Sequence, residues 1–253
     1  MRVYEDIKYK KDGTPCHLID LYLPDGECSA LVLYLHGGGF VEGTRKDLHA
    51  SHPFVNEMIE AGFGIASAEY RMYPEAKYPE FIEDAAAAVA FVKNGLSEYC
   101  SYKKLVVCGC SAGGYMTEML AFNRRYLDAV GINPSDIDAY IHDAGQPTAH
   151  FNVLKEHGID PRRVIVDERA PLYYVGEENV YPPMQIIVSS KDIENRLEEL
   201  ELLVGTMKHF ECDMSKVRFT KTEGHHVWYV NAVDEDGKSE YAKLIIPFIK
   251  SII

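Results

Sequence analysis

The sequence predicts an α/β fold, a mostly parallel central sheet with helices on both faces, entered through an N-terminal antiparallel hairpin. Three observations carry that expectation. Two strand-like runs, residues 3–9 and 17–23, flank the turn signal Lys11-Asp12-Gly13. From residue 30 onward, apolar β-type runs alternate with stretches of helical periodicity, the order that builds parallel strands through helical crossovers. The chain has 253 residues, of which 47% are hydrophobic and 26% charged, enough for the core of one domain spanning 1–253.

Each element follows from a local signal. Pro24-Asp25-Gly26 closes the hairpin. Residues 30–35 form an apolar strand, 54–61 a helix, 63–68 a second such strand and 79–92 a longer helix. Pro79 suits a first turn, where no N–H is needed, and Glu83 and Asp84 lie where the helix dipole favours acids. Strands are expected at 104–108, 139–142, 184–189 and 217–222, and helices at 112–126, 196–210 and 239–252. In the helix at 196–210, Leu197, Leu200, Leu203, Val204 and Met207 recur at the three- and four-residue spacing of a stripe laid on a sheet. The least regular stretch, 144–180, is expected to lie beyond the strand ends as a small lid or pocket wall.

Composition removes several classes of function. The 26 basic and 39 acidic residues leave a net charge of −13, which repels polyphosphate and anionic membrane surfaces, so no nucleic acid or membrane partner is expected. The N-terminus lacks the apolar core of a signal peptide and no later run reaches membrane-span length, which makes a cytoplasmic location the expectation. A homodimer is compatible with the sequence. The six cysteines form no C-x-x-C pair, and the histidines lack metal-ligand spacing with carboxylates, so neither a metal nor an organic cofactor is expected.

Chemistry enters at Gly109-Cys110-Ser111-Ala112-Gly113-Gly114, which fits G-x-S-x-G between an apolar strand and a helix. In that context the serine sits on a turn so tight that its flanking positions must be small, and its hydroxyl is lifted above the sheet. Ser111 is the candidate nucleophile. His36-Gly37-Gly38-Gly39-Phe40 directly follows the strand at 30–35, where the H-G-G-G element of esterases lies. The N–H groups of Gly38, Gly39 and Ala112 are candidate donors to a tetrahedral oxyanion. His36, at the strand end, reads as a structural hydrogen-bonding residue.

In α/β-hydrolases the acid and then the base follow later strands. Asp192 follows the strand at 184–189 and is the candidate acid, with Glu194 and Glu198 falling toward the next helix. Either His225 or His226 follows the strand at 217–222, and His226 is preferred because His226-Val227-Trp228 places an aromatic beside it, a spacing of related hydrolases. His142, after another strand, is expected to line the pocket.

Between hole and elbow, Glu69-Tyr70-Arg71-Met72-Tyr73-Pro74-Glu75, Tyr78-Pro79 and Glu83-Asp84 are similar to the D-Y-R-L-x-P-E, F-P and E-D run of the α/β-hydrolases. With the triad candidates, the chain resembles the hormone-sensitive-lipase-like and carbohydrate-esterase-like branch over residues 30–250. The resemblance implies a serine carboxylesterase acting on short acyl esters, acetyl or other small groups on a carbohydrate among them. Cys110 and Glu69 stand where that branch usually has Asp, which marks a side branch, and the missing N-terminal helical cap favours an open pocket. A serine peptidase of the same fold and a non-catalytic binding protein are the rival readings.

Overall fold

Strand β3 (Cys28–Leu35) shows how the sequence sorts itself into layers. Its residues alternate, sending Leu31, Leu33 and Leu35 into one apolar cluster and Ala30, Val32 and Tyr34 into another on the opposite face. Each fully buried Leu or Val contributes about 1.5–3 kcal/mol relative to exposure. In the computed structural model, which describes residues 1–178 and 180–253, this strand lies within an eight-stranded sheet.

The other strands are β1 (Arg2–Lys8), β2 (Leu18–Leu23), β4 (Phe63–Ala68), β5 (Tyr102–Cys110), β6 (Ala139–Asp143), β7 (Met184–Lys191) and β8 (Val217–His225). Their order is β1-β2-β4-β3-β5-β6-β7-β8. The β1–β2 and β2–β4 pairings are antiparallel and the rest parallel, the predicted arrangement. One face is covered by α2 (Glu80–Gly95), α3 (Ala112–Phe122) and α6 (Arg196–His209), and the other by α1 (Pro53–Glu60) and α7 (Glu240–Ile252). No helix among the described residues is long and apolar enough to cross a membrane.

Several boundaries differ from expectation, and two of them have a local physical reason. The helix predicted over 112–126 ends at Phe122, because Asn123 leaves the helical region at φ −108° and ψ 90° while its N–H still caps the Met119 carbonyl. A separate short helix, α4 (Arg125–Ala129), follows. The last strand continues past residue 222 to His225, since Lys191 of β7 still pairs with His225 beyond a register shift.

Register aligns the functional ends. Leu35 lies opposite Gly109, Cys110 opposite Asp143, and Lys191 opposite His225. The next residues along β3, β5, β7 and β8 are His36, Ser111, Asp192 and His226, so four loops leave the carboxyl edge of one sheet. Residues 144–180 leave β6 at the same edge and carry α5 (Phe151–Glu156) and a 3₁₀ turn at Pro171–Tyr174, with residue 179 outside the described residues.

Candidate active site

The turn from β5 into α3 is closed by steric necessity. A Cβ at Gly109 would lie 2.2 Å from the Gly113 carbonyl oxygen, and one at Gly113 would lie 2.0 Å from that of Leu35. Only glycine fits either position. Ser111 between them has φ 55° and ψ −109°, a backbone conformation disfavoured for an L-residue and characteristic of strain stored at functional turns. Its N–H is fixed by the Asp143 carbonyl at 2.7 Å.

The structure brings the three predicted side chains into one relay. His226 Nε2 lies 2.9 Å from Ser111 Oγ, and His226 Nδ1 lies 2.5 Å from Asp192 Oδ1. A carboxylate cannot donate, so the imidazole proton sits on Nδ1 and Nε2 is left to accept from the serine hydroxyl. Asp192 is itself oriented by the N–H groups of Ile193 at 2.8 Å and Ser189 at 3.2 Å. Burial pushes its carboxyl up, but the hydrogen bond and charge of His226 and the two amides outweigh that and hold it below the ordinary carboxylate range. His225 does not join the relay. It is exposed at the end of β8, and its Nδ1 faces the His226 carbonyl at 3.2 Å.

The glycine loop after β3 packs against the elbow. A Cβ on Gly37 would lie 3.2 Å from both the Cys110 carbonyl oxygen and Ser111 Cβ. Gly38 and Gly39 have φ values of 108° and 62°, and the Gly38 carbonyl accepts from the N–H groups of Val41 and Glu42. Among the described residues, no protein group accepts from the N–H of Gly38, Gly39 or Ala112. Unpaired backbone donors of this kind can stabilise a developing oxyanion. From residues 144–180, the Asn152 side-chain amide donates to the Gly39 carbonyl at 2.6 Å and buttresses the loop.

Glu69 sets the shape of this loop, which residue patterns did not show. Its Oε1 lies 2.7 Å from His36 Nε2, while its Oε2 accepts from Thr44 Oγ1 at 2.8 Å and from the Arg45 N–H at 3.2 Å. Tyr70 stacks on the His36 ring and donates to the His36 carbonyl at 2.7 Å. Arg71 of the same run is bound by Asp84, whose Oδ2 accepts from Nε at 2.7 Å. Asp84 is thus an ion-pair partner within α2 rather than a dipole residue alone, and it also meets His17 Nε2 at 2.9 Å.

His142 does not line a pocket, contrary to expectation. It is fully buried beneath the sheet edge with Nδ1 2.9 Å from Thr117 Oγ1, between the rings of Tyr140 and Phe122. Burial pushes its pKa down to about 3, which keeps it neutral. Cys110 is buried as well, and burial lifts its thiol well above the ordinary range. Among the described residues no cluster of His, Cys, Asp and Glu is arranged to hold a metal ion.

Two clefts are lined by residues that flank the relay in sequence, Cys110 and Val227 in one and Ile193 in the other. One of about 350 Å³ is lined by Gly37, Gly38, Cys110, Val227 and Asn231. Another of about 280 Å³ is lined by Phe151, Arg163, Ile193 and Arg196, and the Phe151 ring would lie 3.6 Å from a Cβ at Gly39.

A family model, BD-FAE, matches residues 19–152, just over half of the chain and the part that holds the glycine loop, the elbow and their supports. The chain belongs to the BD-FAE family. Esterase LipI of Mycobacterium tuberculosis is 37% identical over 103 residues, covering 40% of this BD-FAE chain and 32% of LipI. The chain thus spans about a third of that relative's length. Among solved structures, a truncated carbohydrate esterase from gut microbiota superposes with a TM-score of 0.78 at 19% identity, over 99% of this chain and 96% of the other. An esterase from Pyrobaculum calidifontis gives 0.73 at 22% identity, over 100% and 86%. At those identities the likeness shows the fold, which is that of the α/β-hydrolases.

Proposed function

We propose that the chain is a serine carboxylesterase that hydrolyses short acyl esters, with Ser111 as nucleophile, His226 as general base and Asp192 as the acid that orients it. The observation that carries this reading is the continuous relay from Asp192 Oδ1 through His226 to Ser111 Oγ. His226 Nε2 takes the hydroxyl proton as Ser111 Oγ attacks the ester carbonyl. The tetrahedral oxyanion is held by the N–H groups of Gly38, Gly39 and Ala112. The imidazolium then gives its proton to the leaving alcohol, and water, deprotonated by the same imidazole, releases the acid from the acyl-enzyme.

The surroundings of the relay support the substrate class. Clefts of a few hundred Å³ suit an acetyl or similarly small acyl group better than a long chain. Phe151 with Gln146, Arg163 and Asn195 offers an aromatic face beside several hydrogen-bonding groups, which fits a carbohydrate as the alcohol, and residues 144–180 supply part of that wall. A gut-microbial carbohydrate esterase among the structural neighbours agrees with this choice. The test is a hydrolysis screen over p-nitrophenyl esters of rising acyl length together with acetylated and feruloylated sugars, run beside Ser111→Ala. Turnover confined to short acyl groups and abolished in the variant is the expected result. Turnover that rises with chain length, or persists without Ser111, overturns it.

A further inference from the structure

Asp143, the last residue of β6, touches both halves of the site without belonging to the relay. Its backbone oxygen accepts the Ser111 N–H at 2.7 Å, and its Oδ1 accepts a hydrogen bond from the Tyr229 hydroxyl. Tyr229 is fully buried and lies in the turn Trp228–Val230, directly after His226 and Val227. One residue therefore ties the amide of the nucleophile to the loop that carries the base. The second oxygen, Oδ2, is buried with no hydrogen-bond partner among the described residues. A buried carboxylate with an unpaired oxygen is costly, and a packing role alone would be filled at lower cost by an amide or an apolar group.

We propose that Asp143 is a positioning residue for the hydrolytic reaction, anchoring the His226 loop to the elbow through Tyr229 and placing a second negative charge within electrostatic reach of the imidazole. The inference rests on the hydrolase reading above. The groups facing Asp143 are Tyr34 from β3, Cys108 and Cys110 from β5, Tyr241 from α7, and Tyr229 and His226 from the loop after β8. Burial pushes the tyrosine hydroxyls and both thiols up, so at neutral pH they carry no charge. Of this set only His226 becomes a cation during turnover. Burial pushes the Asp143 carboxyl up to about 6, while the hydrogen bond from Tyr229 and the attraction of His226 act the other way. That attraction is mutual, so above about pH 6 the carboxylate favours the imidazolium that forms when Ser111 is deprotonated.

The experiment measures kcat and KM for p-nitrophenyl acetate between about pH 5 and 9 for wild type, Asp143→Asn, Tyr229→Phe and Ser111→Ala. Asp143→Asn is expected to lower kcat about 10- to 100-fold while KM stays within about twofold, because the base is misplaced after substrate has bound. Its acidic limb moves to lower pH, since an imidazolium without the nearby anion loses its proton more readily. Tyr229→Phe keeps the ring and removes only the hydrogen bond, so kcat falls by a smaller factor with KM again unchanged. Wild-type kcat and an unmoved pH profile in a folded Asp143→Asn protein overturn the inference. If that variant does not fold, wild-type kcat in Tyr229→Phe does so. Wild-type protein without Ser111-dependent hydrolysis overturns the hydrolase reading and this inference together, whereas Ser111-dependent hydrolysis with both other variants indifferent overturns this one alone.

Discussion

Two histidine–carboxylate pairs stand at the carboxyl edge of the same sheet, one after β3 and one after β8, and they are built for opposite ends. His226 meets Asp192 at 2.5 Å and His36 meets Glu69 at 2.7 Å. The difference lies at the other ring nitrogen. His226 presents Nε2 to Ser111 Oγ, and its side chain keeps 22% of its surface exposed. The His36 side chain is 1% exposed, its Nδ1 lies 2.7 Å from the Gly37 carbonyl, and Tyr70 covers its face. A carboxylate partner therefore does not by itself mark a histidine for proton transfer. Under the proposed mechanism, the distinguishing feature is a second nitrogen left open to a hydroxyl. The pair at His36 spends the same chemistry on holding the glycine loop still.

That comparison is tested first where the effect is largest. Ser111→Ala or His226→Ala should lower turnover by about 10⁴- to 10⁶-fold, and Asp192→Asn by about 10⁴-fold, each with little change in melting temperature. Steady-state kinetics with thermal melts reads both. Glu69→Ala should do the reverse, costing about 3–5 kcal/mol in denaturant unfolding because His36, Thr44 and the Arg45 amide lose a buried charged partner. A Glu69→Ala protein as stable as wild type would erase the division between the two pairs.

The pH dependence of stability sharpens the same contrast by a smaller amount. The Glu69 carboxyl, pushed up by burial but pulled down further by His36, Thr44 and Arg45, ends below its ordinary range. The folded state thus prefers it ionised. Its contribution is fully present above the ordinary carboxylate range and is lost as pH falls through the folded value, so acid titration of unfolding free energy should be shallower in Glu69→Ala. Glu118 behaves oppositely. It is buried in α3 with neither oxygen bonded among the described residues, and burial pushes it well above the ordinary range. Its folded state prefers the neutral acid, so stability declines as pH rises from the unfolded value toward the folded one. Glu118→Gln should remove that decline while leaving kcat unchanged, as followed by thermal melts across neutral pH.

Local signals made one half of the site legible in the sequence. Gly38 and Gly109 announce themselves because their constraints arise within a few residues, against the Glu42 and Gly113 carbonyls, whereas Gly37 and Gly113 are confined by the distant Cys110 and Leu35. Asp192 and His226 were legible through strand order. His226 rather than His225 meets Asp192 and Ser111 for a reason the aromatic spacing does not contain. β8 continues to His225, and the left-handed Val227 at φ 46° turns the chain immediately after His226. Contacts between distant segments were not legible. Glu69 lies 33 residues from His36 and Tyr229 lies 86 from Asp143, and no periodicity links either pair. The break at Asn123 was hidden for a similar reason, since apolar spacing continues across it while the backbone does not.

The most direct test of the central claim is the rate at which a fluorophosphonate labels the protein, read by intact mass and peptide mapping. Wild type should gain one adduct, on Ser111, and His226→Ala should gain it slower by about three orders of magnitude, with His225→Ala near wild type. An adduct on another residue, or equal labelling with and without His226, would contradict the account.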